Sequence, residues 1–215
     1  MIILAIQSTY VGIEIALYNT DFVHFLENVL IPKNETSTIL SVLDTLLINH
    51  KLTINKIGCC LVNRGPAPFI TLRTVIATAN GLKAALQIPL IGMSGLDLLS
   101  SEYDMTKGKA IILLNAFAND FYFYIDNNLK GVCSMQEIKS ILKNNNITSI
   151  IGNGGPLIKN NLSNEFSGEF IDPEKGNCSL HTLISHGYQQ AIDPLCRTNT
   201  TPYITPLYFK EVTIF

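Results

Sequence analysis

One pattern in this chain occurs twice, and it constrains the fold more than any single motif. Residues 2–7, 11–18 and 22–30 are apolar or alternating runs rich in β-branched side chains, separated by short polar turns, and they read as three strands. From Asn34 the period changes. Ile39, Leu40, Leu43, Leu46 and Leu47 fall on one face of a helix over about 36–50, with Asn34, Thr36 and Ser37 as a polar start. A short buried strand at 56–62 leads into Asn63-Arg64-Gly65-Pro66-Ala67-Pro68, where two prolines and a glycine forbid regular structure. Leu72, Val75, Ile76, Ala79, Leu82 and Leu86 then restore the helical period over about 71–87, with Thr71 as the expected cap, and 89–92 reads as one more strand. After a polar stretch at 100–108 the order starts again: strands at 109–115, 120–126 and 129–133, a helix at 136–143, and a strand at 149–152 that enters a glycine-rich turn. A last helix is expected at 179–192.

The two halves share no sequence identity, so the repeat is one of pattern, and it predicts two similar α/β lobes at 1–104 and 105–201. The tail at 202–215 is apolar and extended, and must pack on the body to be ordered. A duplicated β-β-β-α-β-α lobe is the ground plan of the ribonuclease H-like, actin-type ATPase and sugar-kinase folds. That plan leaves the chemistry open.

Composition narrows the classes. Apolar residues make up 47% of the 215 and charged residues 15%, which excludes a disordered chain and leaves too little charge to cover the surface, so an interface is expected. The net charge of -2 offers no bulk attraction to nucleic acid or to an anionic membrane. No run approaches the length of a membrane span, and the start lacks the basic flank of a signal peptide. The five cysteines (Cys59, Cys60, Cys133, Cys178, Cys196) have no C-x-x-C spacing, in keeping with a reducing, cytoplasmic setting.

Phosphotransfer on an actin-type fold needs a carboxylate in the first hairpin turn to hold a metal ion. Here that turn reads Gln7-Ser8-Thr9, and the equivalent strand of the second lobe ends in Asn115, both amides. His181 and His186 are five apart, about 140° round a helix, and do not form an i, i+4 metal pair. Gly92-Met93-Ser94-Gly95 misses the nucleophile elbow by one position, and Ser94 suits a helix cap. Gly152-Asn153-Gly154-Gly155-Pro156 has a backbone able to cradle a phosphate but lacks the lysine and hydroxyl of a P-loop. No catalytic residue, metal ligand or cofactor site is therefore assigned. Arg64 and Arg73 flank the proline-rich turn, where Arg64, Gly65 and Pro66 suit either a loop anchor or a ligand contact. Ala77, Ala79, Gly81, Ala84 and Ala85 give the second helix small residues that let another helix approach closely.

The stretch from Asn63 to Arg73, followed by Ala77-Thr78-Ala79-Asn80-Gly81-Leu82 and Ile88-Pro89-Leu90-Ile91-Gly92-Met93-Ser94, resembles the GRGPGSFTGLR, ATAKGLA and IPLIGVSSL stretches of the bacterial TsaB (YeaZ) family. Ile3-Leu4-Ala5-Ile6-Gln7-Ser8 is similar to that family's ILAIDTS, and Asp193-Pro194 and Pro206-Leu207-Tyr208-Phe209-Lys210 to its DP and PLYLR ending. The resemblance implies an actin-like, two-lobed (ASKHA) accessory subunit without catalytic activity of its own. It implies a heterodimer with the larger paralogue TsaD, and the ATPase TsaE as third component, in placing threonylcarbamoyl on the adenosine beside the anticodon of ANN-decoding tRNAs. It further implies homodimers in isolation, contact with tRNA only through the complex, and an interface on the first two helices. Leu40, Leu43, Leu47, Arg73, Val75, Ala79 and Leu82 are the expected contacts, with packing inside their own lobe the other placement open to the six apolar ones. TsaD-like sequences place IPVHHMEGH over residues 88–96, so their two metal-binding histidines fall on Gly92 and Leu96 here. The chain departs from the TsaB pattern at Gln7, Ala67, Pro68, Ile70, Thr71 and the 114–122 hairpin. A small ATP-dependent phosphotransferase or ATPase of the same fold is the alternative, and a glycoprotease-like peptidase a more distant one.

Overall fold

The computed structural model describes residues 1–21, 24–103, 109–125, 129–159, 161–162, 166–172, 174, 176–192 and 202–209. The chain divides into two compact units, Met1–Leu98 with Ser179–Leu207, and Leu99–Cys178 with Tyr208–Phe215.

In the first unit β1 (Ile2–Ser8), β2 (Gly12–Asn19) and β3 (His24–Pro32) form an antiparallel meander, and β4 (Ile57–Asn63) and β5 (Leu90–Met93) join parallel to β1, giving the order β3-β2-β1-β4-β5. The pleat then sorts the side chains. Ile2, Leu4 and Ile6 enter one core with Ile13, Ile15 and Leu17, under α1 (Ile39–Asn49) and α2 (Phe69–Leu86), the two crossover helices on one face of the sheet. The polar start expected of α1 folds instead as a separate 3-10 turn, Lys33–Thr38, because the Thr38 hydroxyl bonds back to the Glu35 carbonyl and caps nothing. α2 begins two residues before Thr71, at a Pro68 cap that has no N–H to leave unpaired. Its far end closes at Gln87, in the left-handed region, whose N–H donates to the Lys83 carbonyl. The short α3 (Gly95–Ser100) follows β5.

The second unit repeats the order as β8-β7-β6-β9-β10, built from β6 (Ala110–Asn115), β7 (Asp120–Ile125), β8 (Leu129–Ser134), β9 (Ser149–Ile151) and β10 (Glu169–Ile171). α4 (Met135–Asn144) covers one face with Ile138 and Leu142, and starts at a capping box in which Ser134 and Glu137 satisfy each other. Those bonds from Ser134 hold the Glu137 carboxyl below its usual range. α5 (Gly155–Lys159) follows the glycine turn. β10 has only three residues, too few to show a period in the sequence.

α6 (Leu180–Ile192) corrects the expected lobes. The sequence reading put 105–201 in the second lobe, whereas α6 packs across β1, β4 and β5 of the first. Gly187 permits the approach, since a side chain there would meet Leu61 and Met93. The reason lies in the sheet, whose second face (Ile3, Ala5, Cys59, Leu61, all fully buried) needs an apolar cover that β-β-β-α-β-α alone does not supply. The expected boundaries at 104/105 and 201/202 fall on or beside residues 104–108 and 193–201, outside the described residues, as do Cys196, Asp193-Pro194 and Lys210. Cys59, Cys60, Cys133 and Cys178 are buried, and burial pushes Cys133 up to about 12. Among the described residues no helix is long and apolar enough to cross a membrane.

Candidate functional site

The register fixes the polar corner at the end of β1. Gln7 pairs with Glu14 on β2 and with Asn63 on β4, so all three side chains share one face of the sheet. Gln7 Nε2 donates to Glu14 Oε2 at 2.6 Å, and Asn63 Nδ2 donates to Gln7 Oε1 at 3.1 Å. Asn63 Oδ1 accepts the Gly65 N–H at 2.9 Å. An aspartate in place of Gln7 would set two carboxylates against each other, so the amide here suits its neighbour Glu14. Across the turn the Thr71 hydroxyl donates to the Pro68 carbonyl, which leaves Ser8 Oγ to donate to Thr71 at 2.6 Å. No buried side-chain N or O among the described residues lacks a partner.

Arg64, Gly65 and Pro66 lie in the turn between β4 and α2. Arg64 Nε donates to the Thr205 carbonyl at 2.7 Å and Nη2 to Thr205 Oγ1 at 3.3 Å, while the Arg64 carbonyl accepts the Leu207 N–H at 2.8 Å. The loop-anchor reading of Arg64 thus has a definite object, the chain's own C-terminal segment. Gly65 sits at φ +100 next to a cis peptide to Pro66, and an added Cβ would stand 2.8 Å from Leu72 Cδ2. Gly65→Ala is accordingly expected to cost about 1–3 kcal/mol through backbone strain and the clash, read as a thermal melt lowered by several degrees.

The other motifs have structural roles. Ser94 Oγ accepts the Asp97 N–H at 3.4 Å at the start of α3. In the glycine turn, Gly154 N–H donates to Leu113 O at 2.8 Å and Gly155 N–H to Gly152 O at 3.0 Å, so these amides are engaged inside the unit. His186 Nδ1 lies 3.0 Å from the Thr182 carbonyl, and His50 pairs with Glu27 at 3.0 Å. No group of three His, Cys, Asp or Glu among the described residues is placed to hold a metal ion.

The helices divide the expected contact residues. Leu43, Leu47, Val75, Ala79 and Leu82 are buried in the core of their own unit, with Val75 and Ala79 fully enclosed. They face the sheet and are not available to a partner, which corrects the expectation for these five. Sequence periodicity finds the apolar face, and a lone domain turns that face inward. Leu40 is 56% exposed, and Arg73 is exposed with its guanidinium 5.0 Å from the Phe69 ring centroid. The outward surface of α2 holds residues that period alone did not select: Ile70 (75% exposed), Ala77, Gly81 and Ala84, which at about 100° per residue fall on one stripe. On α1 the matching outward residues are Leu40 and Ile48. Gly81 is a mid-helix glycine with nothing among the described residues within 4 Å of where a Cβ would be.

A family model described as TsaD: tRNA N6-adenosine threonylcarbamoyltransferase matches residues 30–188. The chain is 27% identical over 180 residues to the tRNA threonylcarbamoyladenosine biosynthesis protein TsaB of Buchnera aphidicola subsp. Schizaphis graminum, covering 77% of this chain and 84% of the relative. The chain belongs to this threonylcarbamoyltransferase family, in its TsaB (YeaZ) branch. The fold agrees with that of a TsaB (YeaZ) protein. A solved structure from Pseudomonas aeruginosa, described as having similarity to peptidase YEAZ, superposes with a TM-score of 0.68 at 15% identity, covering 97% of this chain and 99% of that one. A Bacteroides thetaiotaomicron protein with an actin-like ATPase fold superposes at a TM-score of 0.51 and 10% identity, over 86% and 95% of the two chains. The two units are the duplicated α/β sheets of that actin-like fold. Within the TsaB branch, Gly92 has a local cause here: the stem of Arg64 and Ile204 Cγ2 occupy the space of a side chain at that position.

Proposed function

We propose that this chain is a non-catalytic, cytoplasmic subunit of tRNA threonylcarbamoyladenosine biosynthesis that binds the TsaD-type subunit through the outward surfaces of α1 and α2. TsaE joins as third component, tRNA is met through the complex, and the same surface serves a homodimer in isolation. The observation that carries this reading is the stripe Ile70, Ala77, Gly81 and Ala84. A glycine in a helix interior costs roughly 0.5–1 kcal/mol relative to alanine. Among the described residues nothing approaches Gly81, so no packing seen within its unit accounts for that cost. Close approach of a second helix does, and the small side chains beside Gly81 and the exposed Ile70 fit the same use.

The test is co-purification of the wild-type chain with the TsaD-type protein of the same cell, followed by the association constant of the pair. A stable complex in the nanomolar to micromolar range is expected, and failure of the folded wild-type pair to associate at tens of micromolar refutes the proposal. Calorimetry of the isolated chain with ATP and magnesium addresses the phosphotransferase alternative. Tight, magnesium-dependent binding would favour that alternative.

A further inference from the structure

We propose that the seat of residues 203–207 on the first unit is a peptide-binding slot, filled in cis by the chain's own C-terminal segment and able to take an extended, uncharged peptide with a β-branched aliphatic residue in trans. Asn80 on α2 carries the recognition. Its Nδ2 donates to the Ile204 carbonyl at 2.9 Å, and its Oδ1 accepts the Ile204 N–H at 2.9 Å. A carboxamide that reads both backbone groups of one residue holds an extended chain whatever its side chains are. Arg64 adds bonds on the far side of that residue, to the Thr205 carbonyl and from the Leu207 N–H.

Side-chain specificity comes from the buried seat of Ile204. Tyr203 is 62% exposed and Thr205 is exposed, while Ile204 between them is buried with Val75, Ala79 and the sheet residues in one core. Gly92 makes room for it, since a Cβ there would stand 3.1 Å from Ile204 Cγ2. One buried side chain between two exposed ones, on a backbone held by side-chain amide and guanidinium groups, fits recognition of an extended peptide.

The slot does not depend on the partner reading, and its test uses the full chain. Leu207→Pro removes the N–H that bonds Arg64, and Ile204→Asp removes the anchor; each variant is checked for folding by circular dichroism. A fluorescein-labelled peptide copying residues 202–209 is then titrated by anisotropy. Saturable binding to the folded variants is expected, at least tenfold tighter than to the wild type, where the tail competes. Adding Asn80→Ala should weaken it about tenfold, the loss of two hydrogen bonds, and a peptide with aspartate for isoleucine should not bind. Absence of saturable binding to a folded variant, or binding indifferent to Asn80→Ala, overturns the proposal. If neither variant folds, the wild type decides: excess peptide should speed hydrogen exchange at the Ile204 amide, and unchanged exchange overturns it.

Discussion

Gly81→Glu is expected to weaken association with the TsaD-type subunit at least a hundredfold while leaving the isolated chain as stable as before or slightly more so. The two effects have separate causes. In the free chain the site is exposed and clear of the other described residues, so a glutamate meets no clash with them and replaces the poorest helix former short of proline. The gain of about 0.5–1 kcal/mol raises the melt by about 1–4 °C in a chain of this size. In the complex the same carboxylate would be buried against a helix without a partner, a penalty of about 3 kcal/mol or more, hence a factor of about a hundred or more in affinity. Thermal melts of the variant and a titration with the partner measure both. Undiminished affinity would remove Gly81 from the interface and with it the observation on which the proposed function rests.

The opposite outcome is expected on the inward faces of the two helices; Val75 lies about 120° round the α2 axis from Gly81. Val75→Asp, or Leu43→Asp on α1, should leave no cooperative thermal transition for the first unit, and loss of partner binding would then report unfolding alone. Val75 is fully enclosed and Leu43 only 2% exposed, both in the core between the two helices and the sheet. An unpaired carboxylate there costs about 4–5 kcal/mol, on top of the lost apolar packing, against a total stability of about 5–15 kcal/mol for a domain. Far-ultraviolet circular dichroism against temperature reads it directly, and a native-like melt of Val75→Asp would show that α2 is turned differently from the arrangement described here. The pair of results separates the two faces of one helix, Gly81 outward and Val75 inward.

These same two residues show where a sequence stops being legible. The runs that became β1, β2 and β4, and the spacing of Leu72, Val75, Ile76, Ala79 and Leu82, were readable because burial imposes a period of two on strands and 3.6 on helices. The capping role of Ser94 was readable for a local reason as well, since its bonds reach only three or four residues along the chain. Leu43, Val75 and Ala79 were misplaced as contacts because periodicity marks the face that must be buried and carries no mark of what buries it. Asn80 gave no signal at all: its partner Ile204 lies 124 residues away, and nothing local distinguishes an asparagine that clamps a distant backbone from one that is merely solvated.

What the amino-acid order determined by itself was the repeat of strands and helices, and through the 63–94 motifs the family. Both are local, set by alternation, proline and glycine within a few residues. Only the tertiary structure decided that α6 belongs with the first unit, that Gln7, Glu14 and Asn63 hydrogen-bond in series across three strands, and that the C-terminal segment is held by Arg64 and Asn80. Each of those depends on which distant surfaces meet. That choice rests on the sum of apolar burial and polar satisfaction over the whole unit, a quantity no window of the sequence contains.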